Sequence, residues 1–138
     1  MDKALNYLGL ARKAGLAELG EEPVGGAARA LHARLVIVAG NASDHTWRRA
    51  MSFVAGTKQQ VLRVPFTKDQ LGFAIGRQEL AIAAITDAKL ALSLVQALDQ
   101  EEKHKAVIEV LSEKATRLAK RQAEAKAHQR NKRFGKKK

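Results

Sequence analysis

The stretch from Ala17 to Gly40, AELGEEPVGGAARALHARLVIVAG, decides the fold. It reads as a short strand closed by Gly20, a helix with Pro23 in its first turn, and a second strand. Proline is tolerated in a first helical turn, where a backbone N–H has no intrahelical acceptor to lose. The segment Arg34–Gly40, RLVIVAG, is an unbroken apolar run rich in β-branched residues between polar turns, the pattern of a strand covered on both faces. The helix before it is expected to end near His32, so a helix feeds directly into a central strand.

Working outward, Leu5 and Leu8 keep helical spacing, and Gly15 offers a left-handed stop after Arg12 and Lys13, which predicts a helix over Asp2–Ala14. Downstream, NASDHTWRRAMSFVAG offers Ser43 or Asp44 as an N-cap, one face made of Trp47, Ala50, Met51 and Val54, and Gly56 as a stop. QVLRVPF reads as a short strand, Thr67 can cap a brief helix in TKDQLGFAIG, ELAIAAI is another buried strand, and TDAKLALSLVQAL is an amphipathic helix. Strands alternating with helices of about ten residues imply an α/β domain, a three-layer α-β-α sandwich around a small, partly parallel sheet.

Beyond Asp99, Val107, Leu111, Ala115 and Leu118 form a narrow stripe at helical spacing, so a further helix is expected to lean on the domain or on a partner. The stripe fades after Lys120. Alanines and charges at 119–128 still favour helix, whereas HQRNKRFGKKK has little to bury and is expected to be mobile until a polyanion orders it. The chain is thus expected to divide into a folded domain, 1–98, and a charged helical extension with a mobile basic tail, 99–138.

Lys and Arg number 25 against 14 Asp and Glu, a formal net charge of +11 over 138 residues, which favours polyanions as partners. The excess sits late: residues 114–138 hold eleven basic groups and the single acid Glu124. Such a run exceeds what solubility needs and points to Lys120, Arg121, Arg130, Lys132, Arg133, Lys136 and Lys137 as phosphate contacts. Aromatic residues make up only 4%, too few for the stacking platforms of single-strand binders, so any nucleic-acid reading rests on shape, phosphates and backbone.

The chain has no cysteine, and its four histidines, His32, His45, His104 and His128, are scattered. Neither a metal site nor a disulfide framework is expected. Neither a P-loop nor a dinucleotide fingerprint occurs, and no nucleophile stands beside a base, so neither cofactor nor catalysis is expected. The first fifteen residues lack the apolar run of a signal peptide, and no segment is long and apolar enough to span a bilayer; a soluble, cytoplasmic, monomeric protein without membrane contact is expected.

The stretches YLGLARKAG, LGEEPV, RLVIVAGNASDHT, VPFTKDQLGFAIGR and AIAAITDAKLA, in this order and spacing, resemble the kink-turn-binding ribosomal protein family over roughly residues 1–98. Within it they look most like the small bacterial YlxQ-like proteins. The resemblance implies a four-stranded mixed sheet in an α-β-α sandwich and a non-enzymatic, ribosome-associated role on structured or ribosomal RNA. It places RNA contacts at Gly20, Glu21 and Glu22 before the second helix and at Val64, Pro65, Phe66 and Lys68. It also implies that Arg12 and Lys13 position phosphates at the same end.

Physically, a glycine at a helix entrance exposes N–H groups to a phosphate. The sequence departs from the family where Glu22, Pro23 and Gly26 replace the usual Asn, Glu and Lys. A carboxylate at 22 repels phosphate, and Pro23 offers no side-chain donor. GEEP also reads as an ordinary helix start with acids placed against the dipole, Phe66 as core, and Arg12 and Lys13 as a solvated helix end. The alternative function is a protein-interaction module that keeps the fold without kink-turn specificity.

Overall fold

A computed structural model describes residues 2–100 and 102–134, with side chains up to residue 127. The elements run α1 (Lys3–Lys13), β1 (Ala17–Leu19), α2 (Glu21–Arg29), β2 (Leu35–Val38), α3 (Asp44–Val54), β3 (Gln60–Arg63), α4 (Lys68–Ala74), β4 (Ile82–Ile85), α5 (Ala88–Ala97) and α6 (Lys105–Phe134).

The four strands form one mixed sheet in the order β1-β4-β2-β3. β4 runs antiparallel to β1 and β2, and β3 runs parallel to β2. β2 and β4 are central and every residue of both is buried, as the apolar runs LVIV and IAAI require. Helices α1, α4 and α5 pack together, while α2 and α3 form a separate pair, so helices sandwich the sheet as expected. Leu5, Leu8, Leu71 and Leu94 surround Ile37 of β2 in one half of the core. Burying each such side chain is worth about 1.5–3 kcal/mol, which makes β2 the natural centre of the core.

Local signals set most boundaries. Asp2 caps α1, Ser43 caps α3, Asp87 caps α5, and Thr67 and Gln70 complete a capping box on α4. Gly15, at φ 73°, ends α1 with paired bonds from its own N–H to the Arg12 carbonyl and from the Leu16 N–H to the Ala11 carbonyl. Two expectations need correction. α2 stops at Arg29, short of His32, because Leu31 turns left-handed (φ 60°) and the His32 N–H returns to the Ala27 carbonyl. The buried Gln59 amide, donating to the Ala28 carbonyl (3.1 Å) and accepting from the Ala33 N–H (3.0 Å), fixes that exit. On α3, Met51 is 48% exposed, and Phe53 turns inward instead, its ring within 3.1 Å of where a Cβ on Gly25 would lie.

The extension begins inside the core. Leu111 is fully buried, Val107 and Ile108 pack on the same cluster, and α6 lies along α5 and reaches β3. Just before α6, His104 is buried with Nε2 3.3 Å from Gln100 Oε1, and its carbonyl accepts the Ile108 N–H.

Burial, and secondly Lys103, lower the His104 pKa below the ordinary histidine value. The unfolded chain therefore holds this proton more readily than the folded one. The contribution to stability is complete above the unfolded value of about 6.5 and is lost as pH falls through the lower folded value. Melting of the full chain should shift down between about pH 7.5 and about pH 5. His104→Gln should remove part of that shift, and identical pH profiles for variant and parent would disprove the assignment.

Candidate nucleic-acid interface

Strand register divides the connections between two ends of the sheet. Leu19, Val38 and Arg63 lie at one end with Ile82, and Ala17, Leu35 and Gln60 lie at the other with Ile85. The first, the loop end, therefore carries the Gly20 turn, the Gly40–Asn41 turn and the segment 64–68.

Backbone bonds tie these three together. The Gly20 N–H donates to the Ile82 carbonyl (3.0 Å), Ala39 to Ala81 (2.9 Å), and Gly40 to Phe66 (2.7 Å). The Asn41 side chain accepts the Lys68 N–H at 2.9 Å. A Cβ on Gly40 would stand 2.9 Å from the Val64 carbonyl, so glycine is required for the two loops to touch.

Gly20 is the N-cap of α2 at φ 96°, ψ 163°, a region that L side chains rarely adopt. No side chain caps the helix there, so the first N–H groups of α2 are not bonded by their own cap residue. Glu21 turns sideways to Arg49 of α3, with its Oε1 2.6 Å from Nε, and the guanidinium sits 5.1 Å from the Phe53 ring centroid. This pair explains an acid at a helix entrance in a basic chain: Arg49 neutralises Glu21 and links α2 to α3. Both side chains remain substantially exposed, so the bond fixes geometry more than stability. Glu22 is exposed without an ion-pair partner among the described residues.

The residues singled out from sequence are thus only partly assembled. Gly20, Glu21 and Glu22 share the loop end with the exposed Pro65 and the half-buried Phe66 and Lys68. Val64 is 1% exposed, a core residue that shapes the loop but cannot touch a ligand. Arg12 and Lys13 stand at the opposite end, because α1 closes into the start of β1 whereas Gly20 follows its finish. The expected joint site with Gly20 is corrected accordingly.

Lys120 and Arg121 are exposed on α6. Only the backbone of Arg130, Lys132 and Arg133 is described, as part of α6, and Lys136 and Lys137 lie outside the described residues. Two loop-end residues escaped sequence reading, Asn41 and Arg63, whose guanidinium lies 5.0 Å from the Trp47 ring centroid, while Arg49, which reads in the sequence as an ordinary surface arginine, pairs with Glu21. In the loop-end elements, Arg48, Arg49, Arg63 and Lys68 are matched by Glu21, Glu22, Asp44 and Asp69, so this end carries little net charge.

No group of side chains able to hold a metal ion occurs among the described residues, and no helix among them is long and apolar enough to cross a membrane. A scan of protein-family models and a search of curated proteins give no match. Among solved structures, the chain is similar to a protein of unknown function from Bacillus halodurans C, at 30% identity and a TM-score of 0.67, over 72% of this chain and 100% of that one. This chain belongs to the same family. The Bacillus halodurans relative is matched over its whole length. A Giardia lamblia 15.5kD RNA binding protein shares the fold, with a TM-score of 0.53 at 18% identity over 75% of this chain and 85% of its own.

Proposed function

We propose that this is a non-enzymatic RNA-binding protein of the cytoplasm that acts on structured or ribosomal RNA in association with ribosomes. The loop end recognises the shape of a bent RNA of the kink-turn type, and the basic helix and tail supply phosphate affinity. The observation that carries the reading is the pairing of an unusual glycine-capped helix entrance with the Pro65–Lys68 loop on one edge of the sandwich. Backbone donors offered by a helix start suit an anionic backbone, and Pro65 and Phe66 supply apolar surface for an unstacked base. The likeness in fold to an RNA-binding protein supports the same reading.

The balanced charge of the loop end implies that its recognition depends little on salt, unlike contacts made by the basic helix. Binding of the full chain to a kink-turn RNA, a matched plain duplex and a ribosomal RNA fragment should be compared over a salt series. The kink-turn should be preferred, and the preference should persist as salt rises while all affinities fall. Equal affinity for bent and straight RNA at every salt would sink the shape-recognition reading and favour a protein-interaction module.

A further inference from the structure

At the end of the sheet opposite Gly20, α6 crosses the turn before β2 and the start of α5. Between them lies an open cleft of about 280 Å³, lined by Arg34, Thr86, Asp87, Lys114, Arg117 and Arg121 among others. Lys58, in the turn before β3, adds its charge to the same region: with Arg34 and Arg117 it opposes the charge on Lys114. Burial first, and these neighbours second, lower the Lys114 pKa, with Glu113 acting the other way.

The cations here are held by the fold. Leu111, fully buried, anchors α6 one turn before Lys114, and Leu118, also lining the cleft, follows one turn after. Positions 111, 114, 118 and 121 share one helical face, so two apolar residues, the first of them buried in the core, alternate with two cations. The backbone of Arg34 is fixed just before β2, its N–H donating to the Ile85 carbonyl at 2.9 Å.

The ion pairs among the described residues are Glu21–Arg49 and Glu113–Arg117, so Arg34, Lys58, Lys114 and Arg121 have no carboxylate partner there. Asp87, the acid in the cleft, turns its carboxylate to the Leu90 N–H at 2.9 Å, capping α5. Arg34, Lys58, Lys114, Arg117 and Arg121 thus gather around a cleft whose lining holds one acid, Asp87, with Glu113 beside Lys114 and Glu124 one turn after Arg121. Holding like charges together works against folding, and the loop end shows no comparable excess.

We propose that this cleft is a second RNA contact, one that grips the phosphate backbone of a duplex. The cleft lining has no aromatic ring, which removes the stacking that single strands need. Lys114 to Arg121 spans about 10 Å of helix, the run of roughly three phosphates along one strand of a duplex. The cleft is open, and α6 continues past it with Lys126 exposed, which suits an extended backbone better than an enclosed small anion. The cleft stands independently of the loop-end reading. Only the corollary that one molecule joins a bent RNA to a second helix rests on it.

The test uses the full chain and two double variants, Arg34→Glu with Lys114→Glu, and the more exposed Arg117→Gln with Arg121→Gln. A plain RNA duplex, a kink-turn RNA and inorganic triphosphate are titrated across salt. The charge-reversed variant should lose about tenfold or more in duplex affinity near 0.1 M salt, with a salt slope shallower by about two, and the neutralised variant should lose less with a slope change in the same direction. The ratio of kink-turn to duplex binding should not fall.

Unchanged duplex affinity and slope in both folded variants would overturn the proposal, as would loss of triphosphate binding alone. If the parent shows no kink-turn preference and the cleft variants still lose duplex binding, the cleft stands and the loop-end reading fails.

Discussion

Leu111→Ala is expected to lower the folding free energy by about 2–5 kcal/mol, the usual range for removing a buried leucine side chain from a packed core. Leu111 is fully buried and belongs to the same hydrophobic cluster as β2 and β4, although it lies outside the segment that the sequence marks as the domain. Its neighbours Val107 and Ile108 are only partly buried, so they cannot replace it as the anchor of α6. Against a total stability of about 5–15 kcal/mol for an ordinary domain, the loss is large.

The functional consequence follows from position. α6 positions Lys114, Arg117 and Arg121 over Arg34, and a helix that detaches scatters those charges. Urea unfolding of the full chain, followed by helical signal, checks the first effect, and duplex binding at a temperature where the variant stays folded checks the second. A loss below about 1 kcal/mol would mean that α6 is not held by Leu111.

How much of this could be read from the chain depends on whether the information is local. The strands LVIV and IAAI, the capping residue Thr67 and the glycine stop at Gly15 are short-range patterns and appear as expected, and of the two candidate caps for α3 the structure uses Ser43. Met51 and Phe53 could not be sorted on helix periodicity alone, because the choice is made by Gly25 on the opposite helix, whose missing side chain opens a place for the Phe53 ring.

The end of the sheet at which a side chain lies is a property of topology. Arg12 and Lys13 precede a three-residue strand and Gly20 follows it, a separation of about 10 Å along the strand, so the order of elements already held that signal. The Glu21–Arg49 pair spans 28 residues and carries no sequence spacing of its own. The cationic cleft is harder still, since Arg34, Lys58 and Lys114 come from three distant segments and meet only once β2, β3 and α6 are in place.

Gly20→Ala is expected to reduce stability by about 1–3 kcal/mol and to abolish most of the preference for bent RNA. Space is not the obstacle, because a Cβ at this position would meet only the Pro23 Cδ, at 3.8 Å. The obstacle is conformation: at φ 96°, ψ 163° an L-alanine is strained, and relief requires rotation of the peptide that opens α2. That rotation redirects the Glu21 and Glu22 N–H groups and pulls Glu21 from Arg49. No cation is removed, so the salt slope should stay that of the parent while the kink-turn-to-duplex ratio falls by about tenfold, or roughly 1.4 kcal/mol.

A D-alanine at position 20, introduced by semisynthesis, separates the two roles a glycine can play there. Its mirror-image preference fits the observed backbone, so stability should return to near the parent value. If RNA preference returns with it, the entrance matters through its conformation. If stability returns and preference does not, RNA must approach the Cα closely enough for a methyl group to block it. Parental binding by the L-alanine variant would remove Gly20 from the interface altogether.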